Sequence, residues 1–382
     1  MKLKDIREVN NLQGKKIFLR SDLNAPIKDG EITDDFRLRC ALKTINFLKD
    51  KSAKIILAGH LGIDPKNSFL PIYKYLQKYF PIFFTGEVFG KKTDDALNNL
   101  KDGEIVFLEN LRSNNGESAN DEKFTKKLAS FADIYVNDAF SVSHRKHSSI
   151  VGIPNYLPSY AGILLQEEIN ALSDALIPQS PSLCILGGVK FKTKEPLIRK
   201  FLYIYDTVYV SGALANDFFK ARGFNVGKSL ISDNYADIKN LAESEKIIIP
   251  SDVTVENNNG VFIKKLQDIS DEDNITDAGT KSGKQLAELA RNSKFILWNG
   301  TLGEYERGFI KQTEVLARAI ANSSARTLIG GGDTIASINH LNLLNKFSFV
   351  STGGGAMLQF LLDGTMLGIE ALKQSAREYN MK

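Results

Sequence analysis

Lys16 to Ala58 reads KIFLRSDLNAPIKDGEITDDFRLRCALKTINFLKDKSAKIILA. Its two ends, Lys16 to Leu19 and Lys54 to Ala58, are short apolar runs rich in β-branched and aromatic residues. Between them, Phe36 to Lys49 carries its apolar residues at helical period. A strand, a helix and a second strand in succession form the unit from which parallel sheets are built. The same alternation continues along the chain. Further strand candidates are Glu104 to Leu108, Ile134 to Asn137, Leu183 to Leu186, Thr207 to Val210, Lys246 to Ile249, Phe295 to Trp298, Thr327 to Ile329 and Phe347 to Ser351. Helical periods recur over Asp121 to Phe131, Gln166 to Ala175, Gly283 to Arg291 and Lys311 to Asn322. The pattern predicts an α/β protein whose parallel sheets are covered on both faces. Tyr156 to Ser182, with proline near its start, an amphipathic stretch, and Pro178 and Pro181 near its end, reads as a connector between two halves.

Length and composition agree with that plan. The chain has 382 residues, enough for two domains with cores of their own. Hydrophobic residues make up 43% and charged residues 25%, which excludes disordered, collagenous and low-complexity scaffolds. The N-terminal MKLKDIREVNNL has no apolar core of the signal-peptide kind, and no stretch of about 18 consecutive apolar residues occurs. A cytoplasmic protein without membrane contact is the expectation. Cys40 and Cys184 match no metal or redox spacing and read as small core residues. A net charge of +4, with bases and acids interspersed, argues against a nucleic-acid protein. No heptad seam asks for a partner chain, so a monomer is the default.

Ligands in open α/β sheets sit beyond the carboxyl ends of the strands, and the two halves differ sharply there. In the first half, strands lead into Arg20-Ser21-Asp22-Leu23-Asn24, Gly59-His60-Leu61-Gly62, Glu109-Asn110-Leu111-Arg112 and Asp138 to His147, while Arg37 follows a Thr-Asp-Asp helix start. Guanidinium forks bind phosphate and carboxylate in bidentate fashion, so Arg20, Arg37, His60, Arg112 and Arg145 together suit a small, multiply charged anion. Each arginine taken singly reads as a solvated surface residue or half of a salt bridge. Three of the four histidines, His60, His144 and His147, fall in these loops. In the second half, strands lead into Gly187-Gly188-Val189-Lys190, Ser211-Gly212-Ala213, Asn299-Gly300, Gly330-Gly331-Gly332-Asp333 and Gly353-Gly354-Gly355. A glycine pair after a strand is commonly only a turn. Several in one half, joined by Lys190, Lys194 and Asp333, suit a nucleotide triphosphate with its metal ion. Gly223 to Ser229, GFNVGKS, is one residue short of a Walker A loop, and no dinucleotide fingerprint opens a helix. An anion patch on one domain and a nucleotide cradle on the other point to phosphoryl transfer across a cleft.

These residues resemble one family closely along essentially the whole chain, that of phosphoglycerate kinase. The motifs that carry the resemblance are RSDLNAP (20–26), GHLG (59–62), LENLR (108–112), VNDAFSVSHRKH (136–147), ILGGVK (185–190), GKSL (227–230), WNG (298–300), GGGDT (330–334) and STGGG (351–355). The resemblance implies two doubly wound, Rossmann-like parallel-sheet domains joined by a helix around a cleft. The N-terminal substrate domain would span residues 1–160 and be joined by 366–382, the linker helix region 161–182, and the nucleotide domain 183–365. It further implies transfer of the acyl phosphate of 1,3-bisphosphoglycerate to MgADP, giving 3-phosphoglycerate and ATP. By the same resemblance, Asp22, Asn24, Arg37, His60, Arg112 and Arg145 hold 3-phosphoglycerate, with Arg20 and His144 completing the basic patch. Gly187, Gly188 and Gly212 line the nucleotide site, Lys190 and Lys194 reach the phosphates, Asn299 meets the phosphate chain and Glu306 accepts from the ribose. Asp333 takes the magnesium, and Thr334 with Gly353, Gly354 and Gly355 supports the phosphates. Arg37 and Lys194 are the expected catalytic pair.

Several positions depart from the family's pattern. Its HLGRP motif reads HLGIDP here, so Ile63 stands in place of an arginine. GGAKVxDK reads GGVKFKTK, which puts Thr193 beside Lys194 in place of an aspartate. WNGPxGxFE reads WNGTLGEYE, with Thr301 and Glu304 in place of a proline and an apolar residue. These substitutions leave open a second reading, a reduced paralogue that binds nucleotide or a sugar phosphate without efficient transfer.

Overall fold

The structure, a computed structural model, describes residues 2–188, 191–232 and 238–380. The chain divides into two compact units, one comprising 1–170 with 363–382 and the other 171–362. The dividing point falls within the helix Ile163–Ala175.

In the first unit the strands are β1 (Lys16–Ser21), β2 (Ile27–Lys28), β3 (Glu31–Ile32), β4 (Lys54–Ala58), β5 (Ile82–Phe84), β6 (Ile105–Phe107), β7 (Ile134–Asp138) and β8 (Ser159–Ala161). Six of them form a parallel sheet in the order β5-β6-β4-β1-β7-β8, and β2 and β3 make a small hairpin. β1 lies at the point where the strand order reverses. Its register places Arg20 beside Ala58 of β4 on one side and Asn137 of β7 on the other. Ile17, Phe18 and Leu19 are wholly buried, as Ile55, Ile56 and Leu57 are, because helices cover both faces of the sheet. The helix Phe36–Asp50 supplies part of that cover through Leu38, Ala41, Ile45 and Leu48, spaced at helical period on one face. Asp34 starts it by accepting from the Phe36 backbone N–H at 2.9 Å. The C-terminal helix Leu367–Asn380 packs on this same unit. The Gly368 N–H donates to the Ser143 carbonyl at 2.7 Å, and the Ser375 hydroxyl donates to the Leu157 carbonyl at 3.1 Å.

In the second unit the strands are β9 (Ser182–Leu186), β10 (Thr207–Val210), β11 (Ile247–Ile248), β12 (Asp252–Asn257), β13 (Gly260–Lys265), β14 (Asn274–Ala278), β15 (Phe295–Asn299), β16 (Arg326–Gly330) and β17 (Phe349–Val350). A second six-stranded parallel sheet runs β11-β10-β9-β15-β16-β17, again with the order reversing at a central strand. Leu183, Ile185, Tyr209, Trp298 and Ile329 fill its core against Leu316 and Ile320.

The expected α/β class and parallel sheets are present, with strand ends shifted by a residue or two from the sequence reading. Besides the hairpin of β2 and β3, with two residues in each arm, three features were not expected. β5 and β8, of three residues each, are too short to stand out from their surroundings. The third is an antiparallel sheet, β13-β12-β14, that interrupts the strand–helix alternation. Its hairpin turns on Asn258 and Asn259, and β13 is a mostly exposed edge on which Val261, Phe262 and Ile263 all face solvent. A strand with neither a buried face nor a following helix carries none of the periodic signal that marks the others. Among the described residues no helix is long and apolar enough to cross a membrane.

Candidate functional site

In both parallel sheets the candidate site residues lie beyond the carboxyl ends of the strands, where a strand hands its chain to a loop or helix start. In the first unit, Arg20 at the end of β1 is wholly buried and donates from each of its three nitrogens. Nε gives to the Ser149 hydroxyl at 2.8 Å, Nη1 to the Ser21 carbonyl at 2.7 Å, and Nη2 to Nδ1 of His60 at 3.0 Å. A guanidinium has no acceptor, so the His60 Nδ1 must accept and the ring proton resides on Nε2. Burial pushes the His60 pKa well below its ordinary value, with Arg20, Arg112, Arg145 and Arg37 adding to the effect in that order. The ring is therefore a neutral donor.

Around it the GHLG loop is pinned from two sides. Asn24 Oδ1 accepts from the Gly62 N–H at 2.8 Å, and the Arg112 guanidinium donates to the Gly62 carbonyl. Asn110 completes the loop's anchorage, its Oδ1 accepting from the Leu61 and Arg112 backbone N–H groups and its Nδ2 donating to the Leu61 and Asn67 carbonyls. Arg37 lies 3.7 Å from Asp22 Oδ2 and 3.5 Å from the Asn24 carbonyl. Burial, with help from Arg145 and Arg20, lowers the Arg112 pKa to about 10, and its Nη2 has no hydrogen-bond partner. Arg145 is exposed and near enough to influence His60, Arg112 and His144. The fold thus gathers Arg20, Asp22, Asn24, Arg37, His60 and Arg112 into one cluster, with Arg145 and His144 at its margin. Ile63 projects into solvent, 90% exposed.

In the second unit, loops following β9, β10 and β15 close on one another so tightly that side chains are excluded. A Cβ on Gly187 would stand 2.1 Å from the Thr301 carbonyl oxygen, and one on Gly212, whose φ is +62°, would stand 2.7 Å from the Gly188 nitrogen. Beside them a cavity of about 460 Å³ opens, within the range of small-molecule sites. Its wall is apolar where Ala213, Phe219, Leu230, Val253, Ile275 and Leu302 meet, and its mouth is polar, with Glu304, Glu306, Arg307 and Asp333. Gly188 and Gly212 belong to the lining. Lys194, in the first turn of the helix Phe191–Ile204, is 8% exposed and donates to the Gly187 carbonyl. Burial brings its pKa down to about 8, and no described carboxylate pairs with it.

Thr334 is wholly buried, and its Oγ1 accepts from the Gly300 N–H at 3.0 Å, tying the loop after β15 to the helix Gly332–His340. Asn299 is buried against Met357, 3.9 Å from its sulfur. Gly353, Gly354 and Gly355 are not part of the cavity lining; they open the helix Gly355–Asp363, which carries Met357. Lys190 lies outside the described residues. Of the family departures, Thr301 is buried and donates to the Gly303 carbonyl at 2.9 Å, while Glu304 pairs with Arg307 at 2.5 Å and Arg307 pairs in turn with Glu256. Arg307 thus bridges two carboxylates, Glu304 and Glu256, beside the cavity.

A profile of the family described as phosphoglycerate kinase matches residues 5–364. This chain belongs to the phosphoglycerate kinase family. A phosphoglycerate kinase of Haemophilus influenzae is 39% identical over 96% of this chain and 97% of its own length, and one of Dictyoglomus turgidum is 38% identical over 97% and 98%. Among solved structures, the phosphoglycerate kinase from Coxiella burnetii superposes with a TM-score of 0.84 at 32% identity, covering 98% of this chain and all of that one. The enzyme from Pyrococcus horikoshii OT3 does so with a TM-score of 0.87 at 30% identity and the same coverage. Membership makes the chain a phosphotransferase with a carboxyl acceptor, the class its anion-binding loops suggest.

Two residues of the phosphoglycerate kinase cluster escape a reading of the sequence. Ser149 lies in a turn of small residues, and Glu117 sits in the polar run SNNGESAND. Nothing in either stretch sets them apart; only the folded chain brings them under Arg20.

Proposed function

We propose that this chain catalyses reversible transfer of the acyl phosphate of 1,3-bisphosphoglycerate to MgADP, with the first unit's cluster holding the triose and the second unit's cavity holding the nucleotide. One observation carries the assignment of sites. Arg112, Arg145 and Lys194 pair with no carboxylate among the described residues, although Arg112 and Lys194 are nearly buried. Burying a cation without a counter-charge is unfavourable, and a bound phosphate or carboxylate removes that cost. Arg112, Arg145 and neutral His60 donate to the substrate's anionic groups, Asp22 and Asn24 orient Arg37 and the loop, and Arg20 and His144 support the patch.

The nucleotide's base fits the apolar wall, Glu306 accepts from its ribose, and Lys194 meets its phosphates together with Lys190, Asn299, Thr334 and the Gly353–Gly355 helix start. Asp333 begins a helix at the cavity mouth, and no described residue occupies its carboxylate. Magnesium keeps several waters and takes one or two carboxylates plus substrate phosphates, so this single acidic ligand fits the ion as a nucleotide carries it. The ion neutralises phosphate charge when bound.

The nucleophile, a carboxylate or an ADP phosphate oxygen, is already ionised at neutral pH, so no general base is needed. Catalysis is then positioning plus charge stabilisation, and Arg37 and Lys194 act on the equatorial oxygens of the transferring group. No observation favours a binding protein without transfer. A coupled assay with 3-phosphoglycerate and MgATP tests the reading. Turnover is expected, with a loss of about a hundredfold or more in Asp333→Ala. Absence of turnover in a wild-type protein that still binds nucleotide overturns it.

A further inference from the structure

Beneath the basic cluster lies a chain of four buried groups whose hydrogen-bond directions are all determined by chemistry. Glu117 is wholly buried in the short helix Asn115–Ala119. Its Oε1 accepts from the Ser149 hydroxyl at 2.6 Å and its Oε2 from the Ser149 backbone N–H at 3.0 Å. A carboxylate only accepts, so the single hydroxyl proton of Ser149 is committed to it and the lone pairs of Oγ remain free. The Arg20 Nε donates to that oxygen at 2.8 Å, and Nη2 donates to His60 Nδ1 at 3.0 Å. Tyr135 holds the Ser149 segment in place by donating to its carbonyl at 2.5 Å. Acceptor-only carboxylate, hydroxyl, donor-only guanidinium and imidazole therefore form one polarised line, with the negative charge at its outer end and the positive charge one hydroxyl away.

We infer that Glu117 and Ser149 are positioning residues for the substrate: through Arg20 they hold His60 as the Nε2–H tautomer, so that an N–H donor is ready for the anion. The inference rests on the reading of His60 as a substrate ligand. Burial lowers the Arg20 pKa, and the largest opposing influence is Glu117. Without that carboxylate the buried guanidinium loses the largest favourable influence on its charge and keeps only weaker ones such as that of Asp22. His147 Nδ1 stands 3.8 Å from Glu117 Oε1, and burial with Arg112, Arg20 and Arg145 brings its pKa to about 4, so it is neutral and does not compete for the carboxylate. The relay has no role in the chemical step; it fixes which nitrogen faces the ligand and keeps Arg20 from swinging away.

The test uses long-range 1H–15N spectra of full-length, ligand-free protein labelled at histidine, with His60 assigned by its loss in His60→Asn. At pH 7 the wild type is expected to show a proton-bearing Nε2 and a bare Nδ1. Ser149→Ala, which cuts the relay while leaving Glu117 in place, and Glu117→Gln, which removes the charge, should both shift the ring toward a mixture of tautomers. In turnover, both should lower kcat/KM for 3-phosphoglycerate by about tenfold, the size of one charge-assisted hydrogen bond, with KM for MgATP held within about twofold. A merely structural role moves neither the tautomer nor one substrate selectively. Should Glu117→Gln fail to fold, Ser149→Ala decides, and the wild-type spectrum is decisive before either. A proton on His60 Nδ1 overturns the inference. So does an active wild type whose 3-phosphoglycerate kinetics and His60 spectrum ignore both substitutions. A wild type without turnover would instead count against the kinase reading.

Discussion

Replacing Lys194 with methionine should stabilise the ligand-free protein while removing its activity. Burial brings the Lys194 ammonium from the ordinary 10.5 to about 8, which corresponds to roughly 3 kcal/mol at 1.36 kcal/mol per pH unit. The side chain is 8% exposed, so solvent does little to screen that cost. Its hydrogen bond to the Gly187 carbonyl, worth about 1 kcal/mol net, is lost in Lys194→Met. The expected difference at pH 7 is therefore a gain of about 2 kcal/mol, which for a unit of this size raises the melting temperature by roughly 4–8 °C.

The sign of the pH dependence follows from proton counting. Between pH 8 and 10.5 the unfolded chain binds more protons at this lysine than the folded one, so the wild type gains stability as pH rises through that window. Below pH 8 the full penalty is present; by pH 9.5 about 2 kcal/mol of it is relieved, and the advantage of Lys194→Met shrinks toward zero. The sole tryptophan, Trp298, is buried in β15 of the same unit, so urea unfolding followed by its fluorescence reads the relevant transition. Turnover of the variant should fall by about a hundredfold or more. A variant less stable than wild type at pH 7, or a stability difference that does not change between pH 7 and 9.5, refutes the reasoning.

Ile63→Arg places a cation at a 90% exposed position of the substrate loop and should lower KM for 3-phosphoglycerate by roughly two- to fivefold, the range of an exposed charge pair, without altering KM for the nucleotide. An unchanged KM means that this position does not face the substrate. Gly212→Ala adds a Cβ at a φ of +62°, 2.7 Å from the Gly188 nitrogen, and should cost about 1–3 kcal/mol of stability. The same substitution should abolish the rise in melting temperature given by MgATP; a wild-type shift would remove the Gly212 loop from the nucleotide wall.

The sequence carries the two sheets in plain view because each central strand is buried on both faces. Ile17 to Leu19, Ile55 to Leu57 and Phe295 to Trp298 are uninterrupted apolar runs, and each stands before a polar or glycine-rich loop. The motif residues are legible for the same reason. A guanidinium or a glycine pair directly after such a run has a defined place at the sheet's edge. The same pattern does not show β12 to β14, since β13 is an exposed antiparallel edge with no continuous buried run, and β12 pairs with both β13 and β14 without an α-helix between successive strands, although β14 itself is buried and leads into the helix Thr280–Asn292.

Tertiary structure alone decides which groups share a proton or a charge. Glu117 and Ser149 are separated by 32 positions and meet only beneath Arg20, which lies more than a hundred positions from Ser149. The apolar wall of the cavity draws Phe219, Leu230, Val253, Ile275 and Leu302 from separate strands, helices and loops. The identity of Lys194 is written in the chain, but its lowered pKa is not: that comes from burial with no carboxylate partner among the described residues. Residue types and local spacing establish what chemistry is available and at which strand ends. Desolvation and hydrogen-bond direction act through space between distant segments, and so they belong to the folded molecule.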